Sequence, residues 1–128
     1  MNNIKFTVVF LLILAYQSCS SLDGMSQEQE AQNLRQLFFE IENLVAQHTC
    51  VDASEWRFIK YGSKACGGPS GFIAYPLNMD TANFLKKIET YTVAEQNFNQ
   101  KWNITGDCSF PPLPIGVKCD HGKPVLFY

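Results

Sequence analysis

The chain has 128 residues, 46% of them hydrophobic, and a formal charge of −2, which is the composition of one ordinary globular domain and not of a disordered chain. No block of like charges occurs. A phosphate-neutralising surface for nucleic acid and a polybasic membrane-surface patch are therefore both excluded.

The N-terminus reads as an export signal over residues 1–19. Lys5 precedes an apolar run from Phe6 to Ala15, followed by small residues. That run is too short to span a bilayer, which takes roughly 20 apolar residues, and its layout is secretory. Ser18-Cys19 has the form of a lipobox, in which the cysteine is acylated and becomes the first residue. Tyr16 departs from the aliphatic residue usual three places before it. The alternative is cleavage after Ser20, with Ser18 and Ser20 as the small residues. The expected address is thus the outer or cell-envelope membrane through lipidated Cys19, or secretion.

Residues 20–25 form a spacer, and residues 26–128 form a single domain. Ser26 followed by Gln29 predicts a capping box. Leu34, Phe38, Ile41, Val45 and His48, widened by Leu37 and Leu44, make one apolar helical stripe. Glu28, Arg35, Glu42 and Gln47 occupy the opposite face. This first helix is expected to reach His48.

Two strands come next, "WRFIKY" over 56–61 and "FIAY" over 72–75, both aromatic and β-branched. Between them lies the glycine-rich stretch Gly62–Gly71, the long tip of an antiparallel hairpin. Asp80 or Asn78 caps a second helix over Thr81–Trp102. Its inner stripe holds Phe84, Ile88, Tyr91, Ala94, Phe98 and Trp102, with Lys86, Lys87, Glu95 and Gln96 turned away. The three prolines of "CSFPPLPIG" force an extended connection. The tail makes a second hairpin turning at His121-Gly122. The predicted fold is α+β: two helices on one face of a small antiparallel sheet of about four strands.

Cys19 is acylated or removed, leaving Cys50, Cys66, Cys108 and Cys119. An even set in a small exported chain predicts two disulfides, and no two cysteines have zinc-ligand spacing. Chain direction suggests the pairing. If the first strand runs up, the glycine loop with Cys66 is at the top, and the second helix delivers Cys108 there. Cys50 and Cys119 both lie at the bottom. The pairs are then Cys66–Cys108 and Cys50–Cys119.

Catalytic patterns are sparse. His48 lies on the apolar stripe and His121 in a turn; neither sits in a zinc-protease motif, and no phosphate-binding GxxxxGK is present. "GPSG" around Ser70 falls one residue short of a nucleophile elbow. A Cys66–His thiol dyad would require a reduced Cys66. Asn103-Ile104-Thr105 is a glycosylation sequon that matters only in a eukaryotic secretory route. No cofactor or metal is expected.

The remaining feature is the loop. A disulfide at Cys66 and the stiffness of Pro69 would hold Ser63, Lys64, Ala65 and Cys66 as an exposed, extended segment. That is the shape of a substrate-like protease inhibitor, with Lys64 entering an acidic pocket and Lys64-Ala65 as the offered bond. The partner would be a protease or another protein, the chain a monomer, and the membrane reached only through the lipid. The competing expectation is a non-catalytic structural or interaction lipoprotein of the cell envelope, in which the loop is only a hairpin connection.

The tryptophan-bearing strand, GSKACGGP, the aromatic strand, the helix with "YTVAEQNFNQKW" and the closing cysteines near "GKPVL" together resemble small exported proteins, lipoproteins among them, of Bacteroidota-type bacteria. The resemblance covers most of the mature chain. It implies an exported address and a single domain, and brings no activity with it.

Overall fold

A computed structural model describes residues 24–128; the signal, Cys19 and most of the spacer lie outside the described residues. The element order is α1 (Gln27–Ala46), a 3-10 turn (Ala53–Glu55), β1 (Trp56–Tyr61), β2 (Gly71–Pro76), α2 (Thr81–Lys101), β3 (Gly116–Asp120) and β4 (Lys123–Phe127). The α+β class and the four strands agree with the sequence pattern. The strands do not form one sheet. β1 pairs only with β2, and β3 only with β4, both antiparallel.

The capping box at the start of α1 is complete. Ser26 Oγ accepts from the Gln29 backbone N–H, and the Gln29 side chain accepts from the Ser26 backbone N–H. Two of the orphan donors at the helix start are satisfied this way. The helix ends at Ala46, two residues before the expected His48. Asp80 caps α2 by accepting from the Asn83 backbone N–H.

The helices run antiparallel and are tied near both ends of their contact. Glu40 of α1 pairs with Lys87 early in α2, at 3.0 Å. Glu30, at the start of α1, pairs with Lys101 and accepts from the Trp102 indole N–H at 2.9 Å. These hydrogen bonds, from Lys101 first and Trp102 second, lower the Glu30 pKa below its ordinary value. The start of α1 and the end of α2 are thereby fixed at the same end of the domain.

The β1–β2 hairpin is the middle layer. Side chains alternate across a strand, so Ile59, Tyr61, Ile73 and Tyr75 share one face and Trp56, Phe58, Ala74 and Pro76 the other. The first face meets the helices: Tyr75 stacks on Phe84 at 4.9 Å, and Phe38, Tyr61 and Tyr91 form an aromatic group. The second face is covered by the β3–β4 hairpin, whose Val117, Cys119 and Leu126 pack on the core. Buried residues from both layers (Ile41, Val45, Trp56, Ala74, Phe84, Ile88, Tyr91) form that core.

Both predicted bridges are present. Cys50–Cys119 and Cys66–Cys108 each span a Cα–Cα distance of 5.3 Å. The first ties the chain before β1 to the end of β3, and the Cys50 N–H donates to the Gly122 carbonyl at 2.8 Å. Since no strand ladder joins the two hairpins, this bridge is the covalent fastening of the outer layer. Replacing Cys50 and Cys119 by Ser together should lower stability by about 4 kcal/mol through loop-closure entropy. Urea unfolding of the oxidised variant and parent measures it; midpoints that coincide would show that packing alone holds the second hairpin.

Candidate functional site

The Gly62–Gly71 segment is docked along the C-terminal half of α2. Three residues of α2, Thr92, Glu95 and Asn99, line up at helical spacing and receive it. Thr92 Oγ1 accepts from the Gly62 N–H at 2.9 Å. Glu95 Oε2 accepts from the Ser63 N–H and the Ser70 hydroxyl, both at 2.6 Å. Asn99 Nδ2 donates to the Ser63 carbonyl at 2.7 Å. The other Glu95 oxygen accepts from the Tyr91 hydroxyl at 3.1 Å. One carboxylate thus holds both legs of the hairpin tip to the helix and to the aromatic group. Helical spacing places Glu95 away from the apolar stripe, and the structure turns it into the loop.

Gly62 is required by this docking. Its φ is +75°, and a Cβ there would collide with the Ser70 and Glu95 side chains. Gly68, at φ +81°, lies beneath the Phe110 ring, and a Cβ would come within 2.5 Å of Phe110 Cε1.

Beyond Ser63 the chain closes into a tight turn. The Lys64 N–H donates to the Gly68 carbonyl at 3.0 Å, and the Lys64 carbonyl accepts from the Gly67 N–H at 2.9 Å. Cys66 is oxidised to Cys108. The Lys64 ammonium turns back onto the segment after α2, where it donates to the Ser109 carbonyl and faces Asp107 at 3.9 Å. Its side chain is 22% exposed. Asp107 in turn accepts from the Ser109 hydroxyl and backbone N–H, which lower its pKa below the ordinary carboxylate value.

The expected geometry of Ser63-Lys64-Ala65 is therefore corrected. The disulfide pins the tip as anticipated, and Ala65 to Gly68 are exposed. Ser63 and Lys64, however, are half-buried, and their main-chain groups are bonded within the domain. The lysine is drawn inward because a carbonyl and a carboxylate on the neighbouring segment lie within its reach. The oxidised state of Cys66 also removes it from the thiolate role considered for a Cys66–His dyad.

Two clefts lie at different ends of the domain. One, of about 420 Å³, lies between the loop and the end of α2, and its lining residues include Lys64, Gln96, Asn99, Asn103 and Thr105. The other, of about 700 Å³, lies between the end of α1, β2 and the β3–β4 turn, and brings His48 and His121 to one groove with Phe72, Pro124 and Leu126. His121 sits in the turn at φ +47°, with Nδ1 2.7 Å from Asp120. Among the described residues no group of three or more His, Cys, Asp or Glu side chains is placed to hold a metal ion.

A third feature is the strap from Ser109 to Ile115 that carries the three prolines. Phe110, Leu113 and Ile115 are 70–72% exposed. The strap is nonetheless fastened, by Cys108 and the Ser109 carbonyl at one end and by the Ile115 N–H to the Phe127 carbonyl, at 2.8 Å, at the other. Comparison with family models, with curated proteins and with solved structures finds no match to this chain.

The Glu95 junction makes two outcomes measurable. Glu95→Ala leaves the Ser63 N–H and the Ser70 hydroxyl without their acceptor and should cost about 2–3 kcal/mol. Glu95→Gln keeps one carbonyl acceptor and should cost about 1 kcal/mol. Denaturant unfolding gives the order, and equal losses would contradict the hydrogen-bonding role. At alkaline pH, burial first and the Glu95 charge second push the Tyr91 phenol far above its usual range. Burial first, with Glu95 next, raises Tyr61 as well. The folded state then holds protons that the unfolded state releases. The contribution is complete below about pH 10 and is lost as pH rises beyond it. A phenolate absorbance titration should show late-ionising tyrosines that titrate normally in urea.

Proposed function

We propose that this chain is an exported, non-catalytic protein of the cell envelope, anchored through acylated Cys19, that works by binding and uses the Gly62–Gly71 loop as an internal brace. The observation that carries the reading is the direction of Lys64. Its ammonium is bonded to the Ser109 carbonyl and its main chain is closed on Gly67 and Gly68. A loop presented to a protease keeps its main chain free to pair with the enzyme as an extended strand and its specificity side chain outward. The two disulfides are compatible with an extracellular protein. Among the described residues no helix is long and apolar enough to cross a membrane.

The loop's rigidity serves the strap instead. Cys66, Lys64 and Gly68 together hold Cys108, Ser109 and Phe110 in place, and this braced strap carries a row of exposed apolar side chains. A rigid apolar segment standing in solvent suits a binding surface.

Two measurements test the reading. Mass spectrometry of the mature chain from its native membrane should find a diacylglyceryl-modified Cys19 at the N-terminus; a free Ser21 amine would end the anchored form of the proposal. The purified oxidised domain at molar excess should leave trypsin-like activity unchanged, while Lys64→Ala lowers stability by about 1 kcal/mol. Stoichiometric inhibition abolished by Lys64→Ala would restore the inhibitor reading.

A further inference from the structure

Four strongly exposed apolar side chains, Phe110, Leu113, Ile115 and Tyr128, gather toward one end of the domain, while Val51 and Leu77 lie elsewhere. The start of α1 and the end of α2 share that end through Glu30 and Trp102. The tip of the β1–β2 hairpin joins it through Ser63, Glu95 and Asn99, and Phe110 lies there over Gly68. The β3–β4 hairpin has the same polarity. Cys119 at the end of β3 is bonded to Cys50 at the far end, so Ile115, Gly116 and Phe127 point back toward the tip. Tyr128 follows Phe127 directly in the chain and is exposed beside it. Phe110, Leu113, Ile115 and Tyr128, all 63–72% exposed, therefore crown the end from which the N-terminal segment leaves.

Three ion pairs lie at this end. Lys101 meets Glu30, Lys64 meets Asp107, and Arg35 meets Glu28. Aromatic and aliphatic side chains of this kind favour the headgroup region of a bilayer, where charged groups beside them stay hydrated. Tether length adds a geometric constraint. Seven steps separate Cys19 from Ser26, so even a fully extended tether reaches only about 25 Å. A domain of roughly 100 residues has a radius of gyration near 13 Å. A chain acylated at Cys19 therefore keeps its α1-start end within about 25 Å of the bilayer, which excludes the inverted orientation.

We propose that this end is the membrane-facing end of the domain, with Phe110, Leu113, Ile115 and Tyr128 entering the headgroup region of the bilayer. The inference rests on the anchored reading for its tether, and on the crown for its contact. The contact fixes the orientation of the domain and leaves the His48–His121 groove, Cys50 and Val51 facing away from the lipid.

Tryptophan placed at Leu113 or at Val51 reports the orientation, both positions being exposed and tolerant of a large ring. The acylated full chain is reconstituted in phosphatidylethanolamine–phosphatidylglycerol vesicles containing lipids brominated near the headgroup. Leu113→Trp should be quenched and shifted to the blue relative to the parent, and Val51→Trp should not. No quenching at Leu113, or equal quenching at both sites, overturns the inference while leaving acylation intact. If the N-terminal mass shows no acyl chain, the anchored reading fails by itself. Flotation of the secreted chain with the same vesicles then decides the crown. Flotation that falls by roughly tenfold or more in the Phe110→Ser/Leu113→Ser/Ile115→Ser variant supports the contact, and absence of flotation by the parent overturns it. A blue shift of Leu113→Trp in native membranes, without one in pure lipid, also overturns it and assigns the crown to a protein partner.

Discussion

Most of the structure at the tip depends on a single carboxylate. Glu95 receives the hairpin from both sides, through the Ser63 N–H and the Ser70 hydroxyl, and is oriented from behind by Tyr91. A nine-residue connection between two strands would ordinarily sample many shapes, because it has few apolar contacts to oppose its entropy. Here its first residues are fixed to a helix, which is the stiffest element available. With the base fixed, the Cys66–Cys108 bridge joins two ordered segments, and the strap inherits the order. The carboxylate and the disulfide act in series: one holds the loop to α2, the other holds the strap to the loop.

The buried core does not reach every layer of this domain equally. The helices and the first hairpin share the aromatic group and the buried aliphatics, so packing accounts for them. The second hairpin offers only Val117, Cys119 and Leu126 to that core, and no ladder joins it to β1 or β2. It is the layer with the weakest claim on hydrophobic burial, and both covalent bridges lie at its approaches. Cys50–Cys119 secures its far end, and Cys66–Cys108 secures the strap that leads into it.

Much of this was legible in the sequence because it follows from local rules. The capping box at Ser26 and Gln29, the helical stripes and the turn at His121-Gly122 each need only neighbours in the chain. The disulfide pairing was legible for a different reason. In a chain that reverses direction at every connection, ends alternate, and four cysteines sort themselves into two ends. What the pattern did not reveal depends on contacts between distant segments. Short strands with apolar residues on both faces fit one four-stranded sheet or two stacked hairpins equally well, and only the relative placement of their edges decides. Glu95 was hidden because a polar residue off the apolar stripe normally meets water. The signal that could have found it is the second, polar stripe Thr92, Glu95 and Asn99, facing a glycine-rich tip too long to stand unsupported.

Lys64 shows how the same residues can serve opposite ends. A glycine-rich, disulfide-pinned loop with one lysine is the composition of a bait, and it is also the composition of a brace. The distinction lies in where the ammonium finds its partners. Solvent and a protease pocket are both outside the domain, whereas the Ser109 carbonyl and Asp107 belong to the segment that follows α2. A lysine with three donors and a flexible stem takes the nearest acceptors that require no reorganisation. The proline-rich strap supplies them, because prolines lack the N–H groups that would otherwise occupy neighbouring carbonyls in a ladder. An extended strap with free carbonyls draws the cation inward, and the inward cation closes the loop. Pro114 turns inward and is buried, and Phe110, Leu113 and Ile115 are left as the surface through which this end of the molecule meets its surroundings.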